Sequence, residues 1–152
     1  MTFTQSCLIA ADRGRVWDFL LYVQNVGRCM PGVEGLTQLD ESTYEGKLKL
    51  KFGPIALALQ GTLRVEDRDR ERWHGVMRAE AKDLRLGGGV RARLLMYLVE
   101  RGPAETEINV TLEAHILGKM GEFGQPVMKK KADAMLADFA RRVGEELARS
   151  SR

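Results

Sequence analysis

The side chains that could carry chemistry are few and scattered along the chain. The two histidines, His74 and His115, fall on the outward phase of the strands predicted around them. The two cysteines, Cys7 and Cys29, are 22 residues apart and form no Cys-x-x-Cys pair, which favours reduced, structural thiols. The glycine run 87–89 lacks the Lys-Ser or Lys-Thr pair of a phosphate-binding loop and indicates a hairpin connection or a mobile gate. We therefore expect no catalytic residue, metal ligand or cofactor in this chain.

The totals exclude several classes of protein. The 152 residues carry 24 Lys or Arg against 21 Asp or Glu, and a net charge of +3 is too mild for a nucleic-acid-binding protein. The sequence has neither an apolar run long enough to span a membrane nor a recognisable signal peptide. We expect a cytoplasmic protein with a single domain over residues 1–152.

Basic residues are concentrated in two places. Lys47, Lys49 and Lys51 lie on the outer face of one predicted strand, and residues 129–131 are three consecutive lysines. Such groups are typical of solvated faces, and they would also give a weak attraction for anionic lipid or an acidic partner.

The last thirty residues predict one long amphipathic helix, over residues 120–149. Its apolar positions are spaced mostly by three and four, which is the period of a helix with one buried stripe. Pro126 falls inside this segment and predicts a kink, whereas a helix starting at Gln125 would place it in the first turn. We favour the kink, because Met120 and Phe123 continue the apolar stripe towards the N-terminus. The stripe consists of Val127, Met128, Ala132, Met135, Leu136, Phe139, Val143 and Leu147.

The residues before this helix predict a sheet. Residues 44–52 alternate apolar and polar side chains, which is typical of a half-buried antiparallel strand. Asp12 is a candidate N-cap for the first of two short helices, and Gly61 suggests a bulge or bend. The pattern predicts an α+β fold, with a curved antiparallel sheet of about six to seven strands around the long C-terminal helix. The predicted elements are a strand over 3–11, short helices over 13–21 and 23–28, and strands over 44–52, 55–66, 73–82, 90–100 and 106–117.

A sheet curved around one helix leaves a concavity that a single layer of side chains does not fill. Several inward positions hold Gly or Ala and several others hold adaptable methionines, which suits an apolar pocket; the alternative is that the same residues fill a solid core. The residues expected to line the cavity are Trp17, Leu48, Leu50, Phe52, Leu57, Leu59, Met77, Leu94, Met96, Leu112, Met128, Met135 and Phe139.

Several short motifs at these spacings resemble a known family. The chain is similar to the START-like, or SRPBCC, helix-grip superfamily, and within it to the CoxG family, which takes its name from a subunit of carbon monoxide dehydrogenase. The Cys-x-Pro-Gly and Gly-Pro-Ile motifs are the more specific ones, and the resemblance covers essentially the whole chain. The motifs are Val16-Trp17, Cys29-Met30-Pro31-Gly32, Tyr44-Glu45-Gly46, residues 49–55, Gly61, Thr106, and Gly118 followed by Gly121 or Gly124.

The resemblance implies a function and partners. It implies a deep hydrophobic cavity that binds an apolar small molecule or lipid, and an association with a molybdenum-containing hydroxylase such as carbon monoxide dehydrogenase. Members of the family are linked to membrane attachment of that enzyme and to handling of quinone-type lipids. The sequence ends at Arg152 without the tail of longer members, which favours a soluble carrier or a peripheral contact at the inner face of the membrane.

Two other functions stay open at this point. Relatives of the fold include cyclases, dehydratases and hydrolases of aromatic compounds, which would need polar side chains converging in the cavity. Only Tyr97 and Gln60 are candidates, and only if a strand were shifted by one residue. The other function is an assembly factor, in which the surface around Lys47, Lys49 and Lys51 docks a partner and the cavity is incidental.

Overall fold

The computed structural model describes residues 1–150; Ser151 and Arg152, the end of the predicted domain, lie outside the described residues. Seven strands and three α-helices follow the predicted order, with two short helices after the first strand and the long helix last. The elements are β1 (Thr2–Ile9), α1 (Arg13–Leu20), α2 (Val23–Cys29), β2 (Val33–Gln38), β3 (Thr43–Phe52), β4 (Ile55–Asp69), β5 (His74–Asp83), β6 (Gly88–Gly102), β7 (Glu105–Gly118), a 3₁₀ helix (Lys119–Phe123) and α3 (Gln125–Ser150).

The strands form one antiparallel sheet in the order β1-β7-β6-β5-β4-β3-β2. Strands β2 to β7 therefore form a meander, and β1 pairs with β7 at the far edge. This confirms the predicted fold class, an antiparallel sheet with a long C-terminal helix and two short helices. Strand β2 was not predicted, because it is a short edge strand interrupted by Gly35 and by a register shift between Glu34 and Thr37.

The first helix begins as predicted. Asp12 has extended backbone angles and its Oδ2 accepts a hydrogen bond from the Arg15 amide at 3.1 Å, which satisfies one of the unpaired amides of the first turn. The helix presents Val16 and Trp17 to the core, where both are buried.

The predicted kink in the last helix is wrong. Gly124 has φ +79°, a conformation that separates the 3₁₀ helix from α3. The α-helix then begins at Gln125, and the Met128 amide donates to the Gly124 carbonyl at 3.2 Å. Pro126 therefore stands in the first turn, where its missing amide costs no hydrogen bond. Met120 and Phe123 precede the helix and do not belong to its stripe.

The expected irregularity at Gly61 lies elsewhere. The β3–β4 register continues unbroken through Gly61, and the β4–β5 register shifts between Val65 and Asp67. Gly61 serves close packing instead, because a Cβ at this position would lie 1.8 Å from the Glu80 carbonyl oxygen on β5.

The buried side chains form two clusters. The larger one joins α1, β1, β6, β7 and α3, and it contains Ile9, Val16, Trp17, Phe139 and Val143. The smaller one lies where β3, β4 and the 3₁₀ helix meet, and its buried members are Phe52, Leu57, Leu59 and Met120. The space between the sheet and α3 is thus closed at one end by a packed cluster, and the remaining part is available for a site.

Candidate functional site

A cavity of about 400 Å³ lies between the sheet and α3. Its walls come from the inner face of the sheet, from α3, and from the corner where α1 meets α2. The side chains that α3 contributes are Ala132, Met135, Leu136 and Phe139. This volume is within the range of small-molecule sites in proteins, and nearly all of the lining is apolar.

Eight of the thirteen residues expected at the cavity border it. The alternation of each strand assigned them to the inner face, and the structure brings them together around one space. They are Trp17, Leu48, Met77, Leu94, Met96, Leu112, Met135 and Phe139.

The other five lie outside the cavity, in or against the smaller cluster. Alternation predicts which face a side chain occupies but not its position along the strand. The 3₁₀ helix fills this end of the concavity, with Phe123 stacked on Phe52 at 4.5 Å between ring centroids. These five are Leu50, Phe52, Leu57, Leu59 and Met128. Contact with a ligand remains a prediction for all thirteen residues.

The sequence reasoning missed the part of the wall formed by the short helices and β2. The signal was present in α1, where Leu20 and Leu21 share the apolar face of Val16 and Trp17. No comparable periodicity marks α2 or β2, which are only seven and six residues long. The additional wall residues here are Leu20, Leu21, Val23, Val26, Met30, Val33 and Leu36.

Within the described part of the chain, only three residues with charged or amide side chains border the cavity: Gln5, Asp67 and Arg68. The Gln5 amide donates to Asp133 Oδ1 at 2.6 Å and so ties β1 to α3. Lys129 and then Gln5 hold the pKa of the Asp133 carboxyl below its ordinary value by hydrogen bonding. Gln5 is therefore already engaged in holding the helix to the sheet.

One end of the site is closed by stacked aromatic and basic groups. Trp17 meets Trp73 edge to face, with 5.9 Å between ring centroids. The guanidinium carbons of Arg13 and Arg70 lie 4.2 and 5.4 Å from the centroid of the Trp73 ring. Arg70 also pairs with Asp18 at 2.8 Å, which fastens the β4–β5 turn to α1. Trp73 itself has φ +57°, a strained conformation held by these contacts.

The sulfur and imidazole groups lie where a chemical role is not apparent. Cys7 and Cys29 are unpaired, and burial is the main cause that raises the pKa of each thiol, which favours the unreactive protonated form. His115 is exposed, and His74 lies 3.7 Å from Asp67. Among residues 1–150, no three His, Cys, Asp or Glu side chains are placed to hold a metal ion.

A second cavity, of about 330 Å³, lies at the packed end of the molecule. Within residues 1–150, every helix falls short of the length and hydropathy that a membrane-crossing helix needs. The residues around the second cavity are Ile55, Leu57, Leu86, Lys119, Met120, Glu122 and Phe123.

Solved structures show the same architecture. A conserved protein from Geobacillus kaustophilus matches with a TM-score of 0.88 and 20% identity, over 99% of this chain and 97% of that one. A START superfamily protein from Mycobacterium smegmatis matches with a TM-score of 0.69 and 13% identity, over 97% of both chains. The Zhui aromatase/cyclase from a Streptomyces species gives 0.67 and 13%, over 100% of this chain and 96% of that one. At these identities the similarity shows the fold alone.

The curved sheet, the long closing helix and the apolar hollow between them define a helix-grip protein of the START class. The model of one family within this class, the carbon monoxide dehydrogenase CoxG family, matches residues 6–148, and the chain belongs to that family. The resemblance inferred from the sequence motifs is thereby confirmed. No curated protein sequence matches the chain significantly.

Proposed function

We propose that this protein is a non-catalytic, single-domain carrier that binds an apolar small molecule, a quinone or another lipid, in the cavity between the sheet and α3. We further propose that it is cytoplasmic and serves a molybdenum-containing hydroxylase such as carbon monoxide dehydrogenase. The observation that carries the first proposal is the cavity of about 400 Å³ with an almost wholly apolar lining. Membership of the CoxG family supports the second.

The physical support for binding comes from the kind of side chains in the wall. Met30, Met77, Met96 and Met135 all border the cavity. Methionine side chains are unbranched and adapt to irregular surfaces, so the cavity can take a flexible or flat guest without a rearrangement of the backbone. Transfer of such a guest from water is driven by the apolar area that it buries.

An enzymatic function has less support. Catalysis on an aromatic substrate, as the name of the Streptomyces aromatase/cyclase describes for that protein, would need polar groups that converge on the substrate. Tyr97 and Gln60 are exposed and on the outer face, so the register slip that would have brought them inward does not occur. Gln5 and Arg68 are on β1 and β4, four strand spacings or about 19 Å apart along the sheet.

Extraction of the native ligand tests the carrier proposal. The protein is purified without detergent and its organic extract is analysed by mass spectrometry, followed by titration with decylubiquinone. We expect a stoichiometric apolar compound in the extract, or saturable binding of the quinone. A clean extract together with no binding of decylubiquinone would contradict the proposal. For the partner, a tagged chain expressed in its native host is expected to co-purify with a molybdenum-containing hydroxylase.

We also propose a peripheral contact with an anionic membrane, through the end of the molecule that carries the β3–β4 turn, the β5–β6 turn and the start of α3. We call this the lysine end. All eight lysines of the chain lie in segments that lead to it or start from it. They are Lys47, Lys49, Lys51, Lys82, Lys119, Lys129, Lys130 and Lys131.

The lysine end also exposes aliphatic side chains. Leu84, at the tip of the β5–β6 turn, is 81% exposed. Of the eight lysines, only Lys49 and Lys129 are paired with a carboxylate among the described residues. Apolar side chains at loop tips within a field of unpaired cations suit an anionic bilayer surface, where each positioned charge contributes about 1 kcal/mol. The other exposed aliphatic residues of this end are Ile55, Leu86, Leu117 and Val127.

Vesicle co-sedimentation tests the membrane contact. Vesicles that contain phosphatidylglycerol are compared with vesicles of phosphatidylcholine alone, at low and high salt. We expect binding to the anionic vesicles only, weakened by salt and by the double substitution Leu84→Asp/Leu86→Asp. Leu39→Asp is the matched control, because Leu39 is 52% exposed at the opposite end of the sheet. Equal loss in both variants would contradict a role for the lysine end.

A further inference from the structure

The charge at the rim of the cavity is decided by a register shift in β4. Leu63 and Val65 border the cavity, and continued alternation would place Asp67 next on the inner face. The pairing with β5 shifts between Val65 and Asp67: Val65 lies opposite Met77, and Asp67 lies opposite Val76. Because one extra residue exchanges the two faces of a strand, the inner position passes from Asp67 to Arg68.

The neighbouring contacts agree with this exchange. The Asp67 carboxylate lies 3.7 Å from Nδ1 of His74, a residue on the outward phase of β5. Arg68 borders the cavity and lies opposite Gly75, which has no side chain to fill the space across from it. The guanidinium is therefore the charged group that the strand offers to the cavity rim.

Arg68 is also unpaired, unlike the arginines around it. Arg70 pairs with Asp18 at 2.8 Å, Arg72 with Asp69 at 3.6 Å, and Arg78 with Glu66 at 2.7 Å. No carboxylate of residues 1–150 forms an ion pair with Arg68. Its planar set of donors is thus free for a ligand that reaches the rim.

We propose that the cavity takes an amphipathic carboxylate, such as a medium-chain or long-chain fatty acid, with its chain in the apolar hollow and its carboxylate on Arg68. This inference rests on the proposed function, because it assumes that the cavity holds an apolar guest. A guanidinium binds a carboxylate through two parallel hydrogen bonds, which fixes the orientation of the head group as well as its charge. Arg68 is then the residue that selects the ligand class.

Isothermal titration with two ligands of equal chain length tests the assignment. Dodecanoic acid carries the carboxylate, and dodecanol has the same chain with a neutral head. We expect the wild-type protein to bind the acid about tenfold more tightly than the alcohol, a difference of about 1.4 kcal/mol. Arg68→Met is expected to abolish that preference and to leave the affinity for dodecanol unchanged. Arg68→Lys is expected to restore part of it, since the charge returns without the planar fork.

Arg64→Met is the matched control. Arg64 is four residues earlier on the same strand, is exposed on the outer face, and also forms no ion pair within the described part of the chain. We expect it to keep the full preference for the acid. If the wild-type protein binds acid and alcohol equally, or if Arg68→Met keeps the preference, the inference is wrong while the carrier proposal stands. If neither compound binds, both are contradicted.

Discussion

Asp83 is a buried carboxylate whose two oxygens are both satisfied by backbone amides. Its Oδ2 accepts from Ala58 at 2.9 Å, and its Oδ1 accepts from Arg85 at 2.9 Å and Leu86 at 3.0 Å. These bonds, with that from Leu86 the strongest cause, hold the pKa of Asp83 below its ordinary value. The residue therefore ties the β5–β6 turn to β4 in its charged form.

We predict that Asp83→Asn lowers the thermal stability at neutral pH. Because the folded pKa of Asp83 is depressed, its contribution is complete above the unfolded value of about 3.9 and is lost as the pH falls through the folded pKa. The Tm difference between wild type and variant should therefore be large at pH 7 and shrink below about pH 4. Circular dichroism melts at pH 7 and pH 3 measure it, and a gap that does not depend on pH would contradict the role of the charge.

Thr106 is the other fully buried polar side chain among residues 1–150. Its Oγ1 donates to the Ala11 carbonyl at 2.7 Å, which joins the start of β7 to the segment between β1 and α1. Thr106→Val keeps the shape but leaves that carbonyl without its donor, so we expect a loss of about 1–3 kcal/mol in urea unfolding. Thr111→Val, on the same strand, is the control and should stay within about 0.5 kcal/mol of wild type. An equal loss in both would point to strand propensity instead.

At the scale of single elements, α3 offers a matched pair of alanines. Ala132 is half-buried and borders the cavity, whereas Ala134 is exposed on the same helix. We predict that Ala132→Phe fills part of the hollow and abolishes the fluorescence enhancement of anilinonaphthalenesulfonate, while Ala134→Phe leaves it intact. Far-ultraviolet circular dichroism should be equal for both. If the two variants lose the dye equally, the dye does not report on this cavity.

Elements differ in how much of them can be predicted from sequence. The strict alternation of residues 44–52 predicts β3 to within one residue of Thr43–Phe52, because one face is buried and the other solvated. The register shift in β4 gives no such signal. Residues 66–69 are all charged, so no apolar position marks where the extra residue lies. The face of Arg68 could therefore be learned only from the pairing with β5.

The candidate site was predictable by face but not by depth. The inward phase correctly grouped Leu48 with Leu50, yet Leu48 borders the cavity and Leu50 packs in the smaller cluster. What separates them is the 3₁₀ helix, whose Met120 and Phe123 looked like the continuation of the α3 stripe. A glycine with positive φ at position 124 turned that stripe into a separate plug, and sequence periodicity does not reveal such a break.

At the scale of the whole molecule, stability is expected to be unequal between the walls of the cavity. Helix α2 is seven residues long, has no side-chain cap and buries only Val23 and Cys29. Elements with few buried contacts open at lower free energy than core strands. We predict that the α2 amides exchange with solvent at least tenfold faster than those of β7, measured by hydrogen exchange and mass spectrometry. Uniform protection would show that the cavity wall does not open independently.

The separation of the interior into a packed cluster and a hollow has an evolutionary consequence. Phe52, Leu57, Leu59 and Met120 hold the sheet and the closing segment together without bordering the larger hollow. Lineages that share this scaffold can exchange side chains around the hollow, and so change cargo, while the anchor of the fold stays untouched. Engineers have the same freedom: a library confined to the hollow would sample new specificities against a constant mechanical frame.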